Sequence, residues 1–526
     1  MIYQIIIIIL SVPYIIIKTK KNIQILQQNF YNENNRYLNW GTRNLSKVFD
    51  IYDLLMCLIN FINLFLRSKI LIFINVGYIL IYFNKSKKIM KESVKIPLKI
   101  TNRVKRIFTT LIVTFTILLV YILFNYNKFI FCFAYNIIVL LDFYILFLVV
   151  LINYPIEIMI YLYYFYKTKK KLKVLNNLEF VGITGSYGKT SSKNILNEIL
   201  GVKYNSITTP KNYNTKYGLM MTINDKINKF NEIFIAEIGA YKLGSIKSVC
   251  KIIKPRYGII TNIGMAHLET FRCRDNIQKA KFELVDSLPS DGVAILNADD
   301  DYQINYNIKS DCKKIWIAIK NKNADIVATD IKINSDGMSF NVYFKSDNKQ
   351  YKFYTKLLGE ANVYNILGAV AFGKYKGMTI HELQYGVQKL KQIPHRLEIK
   401  RLGNKIIIDD AYNSNPVGAM MALGVLKLMS GVKIVVTPGM IEFGDKQYEI
   451  NKKFGENISG VADYVILVGV KQTKPIYDGL KCKEFKTSNI MIVNDIKEAF
   501  KLIDNIRNDR DKYVLLENDL PDIFNE

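Results

Sequence analysis

The first third of the chain alternates long apolar runs with short polar segments. Residues 1–17 carry no charged side chain, and residues 107–124 form an uncharged run of 18. Residues 129–152 form another long run, which a single acidic residue interrupts. Runs of this length can cross a bilayer as helices. Two shorter runs, 54–66 and 70–83, are too short to span securely, so the pattern predicts about three to five membrane helices.

A short polar segment separates the two longest runs. Residues 125–128 read Asn-Tyr-Asn-Lys, which is typical of a tight turn, so residues 107–152 are predicted to form a helical hairpin. The acidic residue in the second run is Asp142. It is either a proton or substrate site in the membrane, or a carboxylate buried at a helix contact or near the boundary. We favour the second interpretation, because a transporter would carry several such groups.

Basic residues set the predicted orientation of these helices. Three lysines follow the run 1–17, whereas a cleaved secretory signal carries its positive charge before the apolar run, so we interpret 1–17 as a permanent anchor. Residues 85–106 contain nine Lys or Arg, and residues 167–173 contain five. Basic loops stay on the cytoplasmic side. We therefore expect a multi-pass protein of the cell membrane, with everything after residue 173 in the cytoplasm.

The net charge favours a membrane over a nucleic acid as the partner of the basic residues. The chain has a formal net charge of +27, and residues 1–173 contribute +17 of it, from 23 Lys and Arg against 6 Asp and Glu. A basic patch for nucleic acid is the alternative explanation. Because most of the surplus lies among apolar runs, we predict contact with membrane lipid and no nucleic-acid partner.

After residue 173 the pattern changes to short apolar segments that alternate with amphipathic ones. Short apolar runs bounded by turn residues indicate buried strands, and spacings of three and four indicate helices. Strands that alternate with helices predict α/β domains with mostly parallel sheets. The predicted strands are 178–184, 233–236, 257–262, 405–409, 432–436 and 464–468, and helices are predicted at 194–200, 419–429 and 448–458.

Composition excludes several classes of protein. A chain of 526 residues is too long for one core, and 50% hydrophobic with 22% charged residues excludes a disordered or acidic solvating protein. The six cysteines are scattered without a CxxC pair, which argues against a zinc ribbon or a disulfide scaffold and fits a reduced compartment. The chain has only three histidines, so a histidine within a motif carries extra weight.

A glycine turn between the first predicted strand and helix has the features of a phosphate-binding loop. Glycines allow backbone N–H groups to approach phosphates, and the helix amino end adds positive potential. Lys189 would neutralise the outer phosphates of a nucleoside triphosphate, and Thr190 would bind Mg²⁺. The strict GxxxxGK[ST] pattern requires glycine at position 183, where this chain has Ile183. The predicted nucleotide-binding residues of the turn are Gly185, Ser186, Gly188, Lys189, Thr190 and Ser191.

Two further candidates for metal binding follow predicted strands. Glu237 comes directly after the strand 233–236, and His267 follows the strand 257–262. The carboxyl ends of parallel strands lie at one edge of a sheet, close to the phosphate turn. Together with Thr190, these side chains could bind one or two Mg²⁺ ions. The alternatives are a surface carboxylate for Glu237 and a hydrogen-bonded structural histidine for His267.

Residues 182–191, which read GITGSYGKTS, closely resemble the nucleotide loop of the Mur ligases, ATP-dependent enzymes that add amino acids to the peptidoglycan precursor. The asparagine-rich loop at residues 211–218 is most similar to that of the family members that add D-alanyl-D-alanine. The resemblance spans roughly residues 178–470. Its other segments follow in order: 211–218 (KNYNTKYG), 236–240 (AEIGA), 261–269 (TNIGMAHLE), 279–283 (KAKFE), 297–300 (NADD), 395–398 (HRLE) and 408–416 (IDDAYNSNP).

The resemblance implies roles for further residues. Lys281 matches a lysine that is carbamoylated in several relatives and then acts as a metal ligand; the alternative is a solvated helix lysine. Asn297 would contact adenine, and Asp410 the ribose or phosphate side. Arg396 would reach the phosphates across the domain junction, unless it forms a surface ion pair. The implied catalytic residues are therefore Lys189, Glu237, His267 and Lys281, with ATP and Mg²⁺ as cofactors.

The implied architecture has three parts. Residues 1–173 form an α-helical transmembrane region, residues 174–400 an α/β P-loop domain that binds ATP, and residues 401–526 a Rossmann-like α/β domain. In the family the last domain closes over ATP and supplies the incoming amino compound. Closure excludes water, which would otherwise hydrolyse an activated acid.

The chain departs from the family pattern at three places. Membrane segments stand where relatives carry the domain that binds the uridine diphosphate handle. Ala361 stands where relatives usually have histidine, and residues 515–520 replace a Lys-Gly-Ser segment of the D-alanyl-D-alanine-adding members. The first departure puts the nucleotide-sugar substrate in doubt, and the third puts the dipeptide in doubt.

Two classes of function follow. The first is a membrane-anchored ligase that joins an amino acid or dipeptide to a soluble or lipid-linked peptidoglycan precursor through an acyl phosphate. The second is a non-catalytic nucleotide-binding scaffold or regulator on the same fold. A decayed ligase should have lost one of the four implied catalytic residues, and all four remain, which favours the enzyme. ATP-driven transport would need paired nucleotide domains and a polar membrane lining.

Overall fold

The computed structural model divides the chain into two compact units, Met1–Leu162 and Tyr163–Leu520. The predicted run 70–83 lies mostly outside the described residues, and the predicted metal ligand His267 lies outside them entirely. The structure describes the chain except residues 1, 69–73, 75–80, 82–85, 88–96, 176, 211–212, 267, 335–336, 412–414, 442, 507–509 and 520–526.

The first unit is helical. Side-chain caps begin several of its helices: Asp50 accepts a hydrogen bond from the Tyr52 N–H, and Asn127 accepts two from the first turn of the helix after it. Its α-helices are α1 (Ile2–Gln28), α2 (Arg36–Arg43), α3 (Leu45–Val48), α4 (Ile51–Leu66), α5 (Asn102–Asn125), α6 (Lys128–Leu140) and α7 (Asp142–Val174), the last of which continues into the second unit. Among the described residues, α5 and α7 are long and apolar enough to cross a membrane.

The run 129–152, which was predicted to be one helix, is broken at Leu141. Helix α6 ends one residue before this break and α7 begins one residue after it. The Lys18 ammonium donates to the Val139 carbonyl at 2.7 Å and to a carboxylate oxygen of Asp53 at 2.8 Å. A lysine at the carboxyl end of α6 is favourable for the helix dipole, and it satisfies a carbonyl near the end of the helix.

Asp142 begins α7 at this break and is almost fully buried. Its two carboxylate oxygens accept hydrogen bonds from Thr19 Oγ1 at 2.9 Å and Asn22 Nδ2 at 2.7 Å. The carboxylate therefore joins α7 to α1. This is the buried helix contact that we favoured for Asp142.

The second unit contains two β-sheets. The first has nine strands in the order β2-β3-β1-β4-β5-β6-β7-β8-β9 and is parallel as far as β7, after which β8 and β9 are antiparallel. Its strands are β1 (Glu179–Thr184), β2 (Ser206–Thr208), β3 (Ile233–Glu237), β4 (Tyr257–Ile260), β5 (Val293–Asn297), β6 (Lys313–Ala318), β7 (Ile326–Asn334), β8 (Gly337–Phe344) and β9 (Lys349–Thr355).

Helices cover this sheet because its central strands are apolar on both faces. Every residue of β3, β4 and β5 is buried, which is typical of a parallel sheet between helical layers. The carboxyl ends of β1, β3, β4 and β5 lie side by side, so the residues that follow them share one edge. The helices of this part are α8 (Lys189–Leu200), α9 (Lys216–Lys226), α10 (Ser245–Ile253), α11 (Leu268–Phe271), α12 (Arg274–Phe282), α13 (Asp301–Ile304), α14 (Glu360–Tyr375) and α15 (Ile380–Gln388).

The second sheet has six strands in the order β10-β11-β15-β12-β13-β14, all parallel except the β10–β11 pair. The ends of β11 and β15 are neighbours, with Asp410 opposite Glu517 in the register. The strands are β10 (Glu398–Leu402), β11 (Lys405–Asp410), β12 (Val432–Thr437), β13 (Tyr464–Val468), β14 (Ile490–Val493) and β15 (Lys512–Glu517), and the helices are α16 (Pro416–Lys427), α17 (Gln447–Ser459), α18 (Val470–Cys482) and α19 (Ile496–Asn505).

Candidate functional site

The glycine turn lies between β1 and α8, as predicted. Gly188 has a φ of +75°, a left-handed conformation that favours glycine. A Cβ atom at Gly188 would lie 3.2 Å from Oδ1 of Asn365, and one at Gly185 would lie 1.9 Å from Oγ1 of Thr261. A side chain is therefore excluded at Gly185 and is disfavoured at Gly188 by the backbone conformation, and glycine at both positions lets an anion approach the backbone of the turn.

Lys189 and Thr190 form the first turn of α8. The Lys189 ammonium lies over the glycine turn and donates to the carbonyls of Gly185 at 2.7 Å and Ser186 at 3.2 Å. Burial lowers the pKa of Lys189 to about 8; Glu237 opposes this shift and Arg396 adds to it. A lysine in these surroundings would gain stability from the negative charge of a phosphate.

Glu237 ends β3 beside the glycine turn and is 2% exposed. Its Oε2 accepts a hydrogen bond from Thr190 Oγ1 at 3.0 Å, and its Oε1 accepts one from Asn214 Nδ2 at 3.4 Å. The ammonium of Lys193 lies 3.1 Å from the same Oε2 atom. The structure thus brings together two of the predicted metal ligands, Thr190 and Glu237, and adds a buried lysine that the sequence patterns did not indicate.

The segment after β4, which precedes His267, is bound to the glycine turn. Ser186 N donates to the Asn262 carbonyl at 2.9 Å, and Gly264 N donates to Ser186 Oγ at 2.9 Å. The Tyr187 hydroxyl accepts a hydrogen bond from Met265 N at 3.0 Å. These bonds hold the backbone up to residue 265 against the turn. His267 itself lies outside the described residues, so its role stays a prediction.

Arg274 secures the same segment from α12. Its guanidinium donates twice to the Ile263 carbonyl, at 3.0 and 2.5 Å, and lies 3.9 Å from the centre of the Tyr302 ring. Asp300 accepts a hydrogen bond from Ile263 N at 2.7 Å. Sequence patterns did not point to Arg274, because its partners are distant in the chain.

Lys281 lies on α12 and is 2% exposed. This burial excludes the alternative of a solvated helix lysine. Burial lowers the pKa of Lys281 well below its usual range; the positive charge of Lys189 adds to this effect and Glu283 opposes it. The charge of Lys189 and the burial of Lys281 thus both favour the neutral form of the Lys281 amine. Lys279, on the same helix, is exposed.

Arg396, beside the second sheet, acts electrostatically on the lysine of the glycine turn. Its positive charge helps to lower the pKa of Lys189. Burial raises the pKa of Asp410 to about 6, and the charge of Arg396 opposes this shift. The flanking residues His395 and Leu397 have φ values of +58° and +51°. Leu397 N donates to Asp410 Oδ1 at 3.3 Å. Arg396 and Asp410 therefore belong to one charged group that extends to Lys189.

Among the predicted site residues that the structure describes, Asn297 has the least direct relation to the glycine turn. It ends β5, two strands from β1, and is 7% exposed. Its Oδ1 accepts a hydrogen bond from Asp299 N at 2.9 Å, and its own N–H donates to Gln303. Its described bonds thus stabilise the local turn, and the contact with adenine stays a prediction. Ser191, in the first turn of α8, is buried.

The residues present fit ATP and Mg²⁺. The turn excludes side chains from its backbone, begins a helix and carries Lys189, as a polyphosphate site requires. The Thr190 hydroxyl and the Glu237 carboxylate are hard oxygen donors in contact with each other, which is the ligand chemistry that Mg²⁺ prefers. We infer that these two side chains would hold the metal beside the phosphates.

Comparison with known proteins gives a consistent result. The sequence profile described as "Mur ligase middle domain" matches residues 183–373, and the one described as "Mur ligase, glutamate ligase domain" matches residues 395–516. The chain is 31% identical over 299 residues to the UDP-N-acetylmuramoyl-tripeptide–D-alanyl-D-alanine ligase of Escherichia coli (strain K12), covering 56% of this chain and 65% of that protein. For the Bacillus subtilis (strain 168) protein of the same name, identity is 30% over 282 residues, with 53% and 60% covered.

Solved structures share the fold. A crystal structure of MurF from Acinetobacter baumannii superposes with a TM-score of 0.62 at 24% identity, covering 68% of this chain and 77% of that one. MurF ligase from Thermotoga maritima in complex with ADP gives a TM-score of 0.60 at 24% identity, covering 68% and 79%. The alignments with the two curated relatives span 60 to 65% of those proteins' lengths.

Proposed function

Because the chain belongs to the Mur ligase family, we propose that it is a membrane-anchored, ATP-dependent ligase of the peptidoglycan pathway. It joins the amine of an amino acid or dipeptide, with D-alanyl-D-alanine as the first candidate, to the carboxylate of a muramyl-peptide precursor. The acceptor is either the soluble UDP-N-acetylmuramoyl peptide or its lipid-linked form.

One observation carries the catalytic part of this proposal. Lys189, Thr190 and Glu237 converge on a glycine turn, with Thr190 Oγ1 only 3.0 Å from Glu237 Oε2. A polyphosphate site with a metal-binding carboxylate is what activation of an acid by ATP requires. A passive nucleotide binder would not need the buried Lys281, whose pKa burial and the charge of Lys189 hold well below its usual range.

The residues of the site have complementary roles in the proposed reaction. ATP supplies the phosphoryl group that converts the acid to an acyl phosphate, and Mg²⁺ lowers the repulsion between the anions. Lys189 neutralises the phosphates, and Arg396 adds a second positive charge from the C-terminal domain. The metal ligands that we propose are Thr190, Glu237 and a carbamoylated Lys281. His267, outside the described residues, is proposed as a further ligand. Asp410 and Asn297 would contact the nucleotide.

Amine-dependent ADP release tests the proposed function. The full chain, purified in detergent, is expected to release ADP only when ATP, Mg²⁺, a muramyl tripeptide and D-alanyl-D-alanine or another amine are all present. Single amino acids and other dipeptides are tested in parallel, because the segment 515–520 differs from that of the D-alanyl-D-alanine-adding relatives. The soluble and the lipid-linked acceptor are compared at equal concentration.

The possible results separate the remaining alternatives. Faster turnover of the lipid-linked acceptor would assign the reaction to the membrane surface, and equal or faster turnover of the soluble one would end that idea. If the protein binds ADP tightly but no amine stimulates ADP release, the ligase proposal is wrong and the nucleotide-binding scaffold takes its place.

The membrane part of the proposal is supported by the first unit, which has large apolar side chains on its surface and carboxylates in its interior. Large apolar side chains lie on its surface, including Phe65 at 75%, Phe124 at 74% and Met159 at 70% exposure, whereas Asp53 and Asp142 are 1% exposed. Water-soluble proteins rarely expose continuous apolar surfaces of this extent. Ionisable residues within a membrane face the interior of a helix bundle. We therefore propose the hydrocarbon of a lipid bilayer as the partner of this surface.

Membrane fractionation tests this assignment. We expect the full chain to sediment with membranes, to remain there after an alkaline carbonate wash, and to be released only by detergent, because each apolar surface side chain would otherwise be exposed to water. A peripheral membrane protein in the same sample, which the wash should release, is the control. Release of the chain by carbonate without detergent would contradict the proposed spans.

A further inference from the structure

Helix α8 carries a second buried lysine, Lys193, which the proposed reaction does not use directly. Lys193 lies one turn after Lys189, and its side chain is 1% exposed. Its ammonium donates to the Thr209 carbonyl at 3.0 Å and lies 3.1 Å from Glu237 Oε2. Two fully enclosed acceptors thus hold this side chain, which makes it a poor candidate for a substrate contact.

The Glu237 carboxylate contacts a buried group, Lys193, and a partly exposed one, Thr190. Lys193 is in the protein interior, whereas the Thr190 hydroxyl, which donates to the same oxygen, lies at the partly exposed turn. The Glu237 backbone N–H donates to Thr209 Oγ1 at 3.3 Å, so Thr209 is bonded both to Glu237 and to Lys193. Lys193 therefore connects α8, the end of β2 and the end of β3 around one carboxylate.

A buried ion pair next to a metal ligand has two physical consequences. A buried carboxylate without a cation is strongly unfavourable, so the ion pair with Lys193 holds the Glu237 carboxylate in place before any metal binds. The same positive charge repels a divalent cation that binds to Glu237, and this repulsion is large in an environment that excludes water. The lysine should therefore stabilise the metal-free site and weaken metal binding.

We propose that Lys193 is a positioning residue for Glu237 that substitutes for the metal in the empty site and limits its affinity for divalent cations. The inference rests on the proposed function in taking Glu237 as a metal ligand. Because Lys193 weakens the binding of the metal, the metal enters and leaves the site together with the nucleotide. A tightly bound ion would instead stay with the protein between turnovers.

The test uses the full chain in detergent with Mn²⁺ and no nucleotide. A titration gives the dissociation constant for Mn²⁺, and thermal unfolding is measured with and without the metal. Lys193→Met is expected to unfold at a lower temperature than the wild type without metal. It should bind Mn²⁺ at least about 10-fold more tightly, because the competing charge is gone, and should gain more in unfolding temperature at a given Mn²⁺ concentration. Lys193→Arg keeps the charge and should bind Mn²⁺ like the wild type.

Three further variants isolate the mechanism. Lys203→Met removes an exposed lysine three residues after α8 and should leave Mn²⁺ affinity unchanged, which controls for net charge. Lys193→Met combined with Glu237→Gln should lose the gain in affinity, because the carboxylate that responds to Lys193 is absent. If Lys193→Met does not fold, Lys193→Gln retains a hydrogen-bond donor without the charge and is expected to show the same tighter binding.

The outcomes distinguish this proposal from the proposed function. Equal or weaker Mn²⁺ binding by the uncharged variants would mean that Lys193 only stabilises the fold, and the proposal would be wrong. A wild-type protein that binds no Mn²⁺ even with ADP present would count against the proposed function itself. A structural role alone would lower the unfolding temperature equally with and without Mn²⁺.

Discussion

Replacing Lys189 with methionine is expected to reduce amine-dependent ADP release by about 10³-fold or more. The ammonium lies over the glycine turn, 2.7 Å from the Gly185 carbonyl, and no neutral side chain can supply its charge to the phosphates there. Methionine retains most of the volume of the side chain, so the helix and the turn should keep their structure. Nucleotide affinity should fall as well, since the bound ground state carries the same phosphates.

The measurement is steady-state ADP release together with binding of a fluorescent ADP analogue. Lys251→Met, which removes an exposed lysine from α10, is the matched control and should keep wild-type activity. Lys189→Arg should be impaired as well, because a planar guanidinium does not reproduce a compact ammonium at an enclosed site. Activity of Lys189→Met within tenfold of the wild type would mean that this lysine does not contact the phosphates.

The same residue should make nucleotide binding pH-dependent. Burial lowers the pKa of Lys189 to about 8. The charged form, which binds anions, is present below this pH and is lost above it, so ADP affinity of the wild type should weaken as the pH rises through about 8. In Lys189→Met this dependence should disappear. Bound phosphate favours the charged lysine, so binding near pH 8 should take up protons.

The sequence predicts the parts of the fold that local patterns determine. The strand and helix around the glycine turn, predicted at 178–184 and from residue 194, lie at Glu179–Thr184 and Lys189–Leu200. In the C-terminal part, the strands 405–409, 432–436 and 464–468 differ from the observed ones by at most one residue. Each of these segments is apolar, short and bounded by turn residues, so its length and type follow from its own composition.

Features that depend on distant residues could not be predicted in this way. At the break at Leu141, the Val139 carbonyl accepts a hydrogen bond from Lys18, which lies more than a hundred residues earlier in the chain. Lys193 occupies the same face of α8 as Leu196 and Leu200, a signal that could have marked it as a buried lysine. Its partner Glu237 is brought to it only by the pairing of β1 with β3.

The candidate site shows the same division. The motif predicts Lys189 and Thr190 by their positions in one turn, and the end of a strand predicts Glu237, because these placements follow from local structure. Asn365, whose side chain lies against Gly188, and Arg274, which holds the Ile263 carbonyl, belong to no local pattern. The site therefore depends on a surrounding set of polar contacts that only the tertiary structure reveals.

The second large effect is expected at Lys281. Burial and the charge of Lys189 lower the pKa of Lys281 well below the usual range of lysine, which favours the neutral amine. A neutral amine can attack CO₂ to form a carbamate, with release of one proton. The new negative charge would then be attracted by Lys189 and would offer oxygen atoms to a metal. We therefore expect the activity of the wild-type protein to depend on bicarbonate.

Lys281→Ala and Lys281→Met should each lower ADP release by about 10³-fold, because the carbamate is lost. Their stability should respond differently. Lys281→Met replaces a buried polar amine with an apolar side chain of similar length, so its free energy of unfolding should be between that of the wild type and about 1 kcal/mol above it. Lys281→Ala leaves a cavity and should be less stable by about 2 kcal/mol. Lys279→Ala, on the exposed face of the same helix, is the control and should change neither property.

Chemical rescue decides whether Lys281 acts as a carbamate or as an amine. The cavity in Lys281→Ala can admit a small carboxylic acid, whose carboxylate would replace the carbamate oxygens, whereas Lys281→Met has no space for it. Formate or acetate should therefore restore part of the activity of Lys281→Ala and none of that of Lys281→Met. Rescue by methylamine in place of the acids would show that Lys281 acts as an amine, which contradicts the proposed carbamate. Full activity of either variant without additives would remove Lys281 from the metal site.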